Sequence, residues 1–125
     1  MSRNERQRIV FEWAVATFGK IASDPNERID RFIEEALELA QAHGVNKHRV
    51  LDILEYVFSR PAGDVIQEIG GVGVTLMAYG ESVSIHADDA EIVEVARILA
   101  ADRTKFREKQ DAKAAAGVGK PTSDA

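Results

Sequence analysis

Glu34, Glu35 and Glu38 form a Glu-Glu-x-x-Glu run, and it is the residue set in this chain whose spacing best suits chemistry. Side chains three apart on a helix stand on adjacent turns, so Glu35 and Glu38 can turn their oxygens toward one divalent ion. A hard cation such as Mg²⁺ takes carboxylate and water oxygens and keeps positions open for substrate phosphates. The same run also suits an ordinary solvated helix face, because it lies off the Ile29/Ile33/Leu37 stripe. A second acidic pair, Asp64 and Glu68, lies four apart and shares a face wherever that segment is helical. Two acidic faces brought together repel unless a cation sits between them. Further on, Lys105, Arg107, Lys109 and Lys113 can contact phosphates or simply solvate a late segment.

Other chemistries find little footing. His43, His48 and His86 have no Glu or Asp at a convincing ligand spacing and read as surface or loop residues. No Glu-x-x-His occurs, which argues against a di-iron carboxylate bundle. No Gly-x-Ser-x-Gly elbow is present, and without Cys there is neither a thiol nucleophile nor a thiolate zinc site. Gly117-Val118-Gly119-Lys120-Pro121-Thr122 faintly resembles a phosphate loop, but it lacks the upstream Gly and a preceding strand. The formal charge of −5 over 125 residues disfavours nucleic acid as a partner; a contact through Arg103 to Lys113 is the weakest reading. Apolar runs fall short of the ~18 residues that cross a bilayer. No signal-peptide core follows the first residues, so a cytoplasmic protein is expected.

The elements that must position these residues are helical. A first helix is expected from about Asn4 to Gly19, with Asn4 as a candidate cap. Asp24 before Pro25, with Glu27 three positions on, predicts a second helix opened by an N-cap, an N1 proline and a capping-box glutamate. Ile29, Phe32, Ile33, Ala36, Leu37 and Ala40 then make one apolar stripe, ending near Gly44. A third helix is expected from an Asn46 cap to about Arg60, where Pro61 stops it. Gly63 to Val83 is locally undecided between a helix and a β-hairpin. Gly70, Gly71, Gly73 and Gly80 weaken a helix, yet Val65, Ile66, Ile69, Val72 and Leu76 carry helical periodicity. Asp88 with Glu91 predicts one more helix start. The expectation is one domain over residues 1–115, with a frayed Ala/Gly-rich tail over 116–125.

At these residues the chain resembles the MazG-like all-α NTP pyrophosphatase superfamily, which includes the dimeric dUTPases. The segment from Arg31 to Leu39 carries that family's Glu-Glu-x-x-Glu half-motif, and the segment from Gln67 to Leu76 looks like its Glu-x-x-Asp half. Gly71 stands where the family has Asp. Ser59 to Gly63 and Lys105 to Lys113 also look like phage-type and bacterial members, and the likeness spans roughly residues 10 to 115. The resemblance implies an all-α bundle of four to five helices, with the Gly63–Val83 segment helical, assembled as a homodimer or homotetramer. It further implies hydrolysis of a nucleoside triphosphate between its α and β phosphates to a monophosphate and pyrophosphate, with Mg²⁺ (or Mn²⁺). By similarity Glu35, Glu38 and Glu68 hold metal, with Asp64 as a substitute for the lost Asp, and Glu34 orients or deprotonates the attacking water. Glu34, Glu35 and Glu38 are then the catalytic set. The Gly71 departure supports a competing expectation: a nucleotide-binding or oligomeric helical protein with weakened or absent turnover.

Overall fold

Ser2, rather than Asn4, opens the first helix. Its side chain accepts from the Glu5 amide while the Glu5 carboxylate accepts from the Ser2 amide, a reciprocal capping box over α1 (Arg3–Phe18). In the computed structural model, which describes residues 1–124, five more α-helices follow and no strand occurs among those residues. After a 3₁₀ turn at Lys20–Ser23 come α2 (Pro25–His43), α3 (Lys47–Phe58), α4 (Val65–Ser82), α5 (Ala87–Ala100) and α6 (Arg103–Ala115). Most starts lie where the local signals put them. Asp24 accepts from the Asn26 amide before α2 and Asn46 from the Arg49 amide before α3; Asp64, not among the expected caps, accepts from the Gln67 amide before α4. Asp88 lies inside the first turn of α5 rather than at its cap.

The all-α class holds, with six helices where four to five are expected. The additional one is α6, whose apolar pattern is thin because its inward face is built from Phe106 and the polar Gln110. Asp102 caps it through the Thr104 amide. The glycine-rich stretch is continuous helix as α4, with Thr75 Oγ1 folded back onto the Gly71 carbonyl at 3.0 Å. Glycine is required at Gly80, where a Cβ would meet the Ile85 carbonyl oxygen at 2.7 Å.

The chain divides into two compact units, Met1–Ala40 with Val95–Ala125, and Gln41–Glu94. The first unit has a small core of Ala14, Phe18 and Ala22, with Trp13, Val15, Ile21 and Phe106 packed on it. Trp13 meets Phe18 and Phe106 edge to face, with ring centroids 5.6 and 5.2 Å away. In the second unit Gly80 is the buried residue among those described. Its apolar side chains face outward: Ile66 is 81% exposed, Phe58 81% and Ile69 69%. The apolar stripe of α2 is open as well, with Ile29, Phe32, Ile33 and Leu37 all exposed. The first unit instead buries the charged side of α2, where Glu27 lies 1% exposed.

A candidate cation centre on the second helix

Glu34, Glu35 and Glu38 come together on α2. Each offers one carboxylate oxygen, and these oxygens all lie within 4.8 Å of one another. Helical spacing places them there: i and i+4 bring Glu34 and Glu38 onto one side, with Glu35 beside them. Among the described residues no other set of three or more acidic, His or Cys groups gathers in this way. An all-oxygen donor set suits a hard cation, since Ca²⁺ takes oxygens at about 2.3–2.6 Å and Mg²⁺ at about 2.0–2.1 Å. Spacings up to 4.8 Å match two opposed Ca²⁺–oxygen bonds, and Mg²⁺ needs a small inward rotation of the side chains. The donor chemistry therefore fits a divalent ion.

The cluster is flanked by cations. Lys113 Nζ, from α6, lies 2.7 Å from Glu34 Oε1, with both side chains about three-quarters buried. Arg31 Nη1 lies 3.6 Å from the same oxygen. Arg31 reaches in two other directions, with Nε 3.2 Å from Glu27 Oε1 and Nη2 donating to the Val118 carbonyl. Glu34 thus faces two positive charges before any ion binds, which offsets part of the repulsion among three neighbouring carboxylates.

Behind this group sits Glu27, the residue that local sequence reasoning misassigned. Expected as a capping-box partner, it is instead buried and accepts from Gln110 Nε2 at 2.6 Å and from the Lys120 amide at 3.0 Å. Arg28 also lies within ion-pair range of it, at 4.0 Å. Burial pulls the Arg28 guanidinium below its ordinary pKa; the charge of Glu27 opposes that shift and the like charge of Arg31 adds to it. The only sequence hint was that Glu27, Arg31, Glu34 and Glu38 share a period of one helix face, at i, i+4, i+7 and i+11.

The segment expected to fray is tied down. Beyond Gly117, the Ser123 amide donates to the Phe18 carbonyl (2.9 Å) and the Lys20 amide donates to the Asp124 carbonyl (3.0 Å). Thr122 bonds Asp111 through both its amide and its hydroxyl, and Lys120 Nζ pairs with Asp24. Ala125 lies outside the described residues.

The remaining sequence candidates are scattered in role. Arg107 serves the fold, donating to the Thr17 carbonyl (2.8 Å) and to Thr122 Oγ1 (3.0 Å). Lys113 faces Glu34, while Lys105 and Lys109 are exposed positions on α6. Asp64 and Glu68 belong to the second unit, one as the α4 cap and the other in its first turn. In that unit His43 Nδ1 meets Tyr79 Oη at 2.9 Å, and His48 Nε2 lies 3.8 Å from Asp52 on an exposed face. At Gly71 an added Cβ meets nothing within 4 Å. Compared with family models, curated proteins and solved structures, the chain finds no match in any of the three.

Proposed function

We propose that this chain is a Mg²⁺-dependent nucleoside triphosphate pyrophosphohydrolase of the MazG-like kind. The observation that carries the reading is the convergence of Glu34, Glu35 and Glu38 oxygens within 4.8 Å on α2, flanked by Lys113 and Arg31. Glu35 and Glu38 would hold the ion. When bound, the cation offsets triphosphate charge and makes its water more acidic. Glu34, whose Oε1 lies 2.7 Å from Lys113 Nζ, would orient a water and accept its proton. The products are a nucleoside monophosphate and pyrophosphate. Incubation with a panel of NTPs and dNTPs, with Mg²⁺ or Mn²⁺, should release pyrophosphate, and Glu38→Ala should abolish release. Clean wild-type protein that releases none across the panel defeats the proposal.

The working form is a homodimer or homotetramer. A second unit whose buried set is one glycine has no core of its own, so the outward apolar sides of α3 and α4 need a covering surface, and a second copy supplies one. Light scattering at the mass of one chain counts against this.

Gly71 favours a second reading, in which nucleotide binds without turnover. The family's Asp is missing there, and the Asp64 carboxylate is engaged as a helix cap. Titration calorimetry showing nucleotide binding with no product supports it. A Cβ at position 71 meets nothing within 4 Å, and gain of activity in Gly71→Asp would identify the lost ligand as the cause.

A further inference from the structure

The C-terminal segment is docked without an apolar anchor. After α6 the chain reverses at Gly117, whose φ of +80° suits glycine, and the Val118 amide closes the turn onto the Lys113 carbonyl at 2.9 Å. Beyond the turn, the apolar residues Val118 and Pro121 are both exposed. The attachment is polar instead, and runs residue by residue. Lys120 donates its amide to Glu27 Oε2 at 3.0 Å and accepts at its carbonyl from Gln110 Nε2 at 2.8 Å. Thr122 donates its amide to Asp111 Oδ1 at 2.8 Å, and its hydroxyl accepts from Arg107 Nη2 at 3.0 Å. Ser123 donates to the Phe18 carbonyl at 2.9 Å, while its Oγ accepts from the Ile21 amide at 3.1 Å. The Asp124 carbonyl accepts from the Lys20 amide at 3.0 Å.

The receiving side is shaped for this peptide. It belongs to the first unit and is a slot made by the end of α1, the 3₁₀ turn, the start of α2 and α6. Gly19 allows the close approach, since a Cβ there would fall 1.7 Å from the Ser123 carbonyl oxygen. On the peptide itself, a Cβ at Gly119 would fall 3.2 Å from both Arg31 Nη2 and Gln110 Nε2. Main-chain bonds hold the segment extended, and Glu27, Gln110, Asp111 and Arg107 add side-chain bonds at chosen positions, the division of labour found in extended-peptide recognition. With no apolar surface pinned down, release exchanges each of these bonds for one to water, at a small net cost per bond.

We propose that this slot is a peptide-binding site whose ligand is the chain's own C-terminal segment, residues 118–124, recognised by sequence and not held by its tether alone. The segment can leave, and a free peptide of the same sequence takes its place.

Its test uses the full chain. Ser123→Pro removes the Ser123 amide donor and the Oγ acceptor, and Thr122→Val removes the hydroxyl shared with Asp111 and Arg107. The double variant should be trimmed much faster by a carboxypeptidase than wild type, with the helical circular dichroism retained. The probe is a fluorescein-labelled synthetic peptide with the sequence of residues 117–125, followed by anisotropy. It should bind the double variant about tenfold or more tightly than wild type, where the tethered segment competes at an effective concentration of roughly millimolar order. Saturating peptide should also raise the Tm of the double variant toward that of wild type. A peptide carrying the same two substitutions should bind neither chain. Equal binding of the probe to both chains overturns the proposal, as does binding to neither when the variant is trimmed fast, or binding of the doubly substituted peptide. An unaltered trimming rate shows that the slot does not depend on these bonds and also overturns it. Loss of the helical signal shows that the first unit cannot exist with the segment released, and overturns it too.

Discussion

Replacing Glu27 with alanine is the sharpest perturbation this fold offers. The carboxylate is fully buried and is approached by four groups: Gln110 Nε2, the Lys120 amide, Arg31 and Arg28. Arg31 is only 14% exposed at its side chain, so removing the anion strands a guanidinium that water reaches poorly. Breaking a buried pair from one side costs about 3–5 kcal/mol. The freed Gln110 and Lys120 donors fall within the same range, since Lys120 can rehydrate as the segment lifts. Against a net stability of about 5–15 kcal/mol, this is a large fraction. For a chain of this length each kcal/mol moves Tm by about 4 °C, so Glu27→Ala should melt about 12–20 °C lower. Glu27→Gln keeps one acceptor oxygen and the shape but loses the charge, and should cost about 1–3 kcal/mol. Both belong in urea and calorimetric melts at fixed chain concentration, because assembly would add its own contribution. A Glu27→Ala loss below about 1 kcal/mol refutes the claim that this carboxylate holds the first unit together.

Other outcomes follow from the same structure. The hydrogen bond from Lys120, followed by that from the Asn26 amide, holds the Asp24 carboxyl below its usual range, and the Asp24 hydrogen bond raises Lys120 above its own. A depressed carboxylate stabilises the fold above about pH 4 and loses that effect as pH falls through its folded value; the raised ammonium does so below about pH 10.4 and loses it as pH climbs higher. Lys120→Met should therefore remove part of the acid and alkaline dependence of urea unfolding and leave the rest of the profile in place. Asp64→Ala deletes the α4 cap and should cost about 0.5–2 kcal/mol, read by urea unfolding. Ile66→Lys with Ile69→Lys changes side chains that are exposed in one chain, so it should leave an isolated chain's stability nearly unaltered. If a second copy covers them, sedimentation should instead show dissociation.

Helix class and helix starts were legible because they are local. Asp24-Pro25 and Asn46 each offer an oxygen to amides two or three residues on, and no distant partner is needed to recognise that; Asp64 caps α4 in the same way but was read only as an acidic pair with Glu68. The acidic run was legible for the same reason, since helical spacing alone gathers Glu34, Glu35 and Glu38. Local signals misplaced the cap of α1 by two residues, and they offered too few apolar positions to mark α6 as a full helix.

What tertiary structure decided is which side of a helix turns inward. The apolar stripe of α2 looked like the buried one, yet the first unit buries Glu27 and Arg31 against α6 and leaves Ile29 and Ile33 exposed. A period specifies a stripe; only a partner surface specifies where it faces. The C-terminal residues likewise have the composition of a free tail, and their order comes from acceptors near position 18 and donors near position 20, about a hundred residues away in sequence. Short-range propensity contains no record of such bonds, because both ends must already be folded before either has anything to pair with.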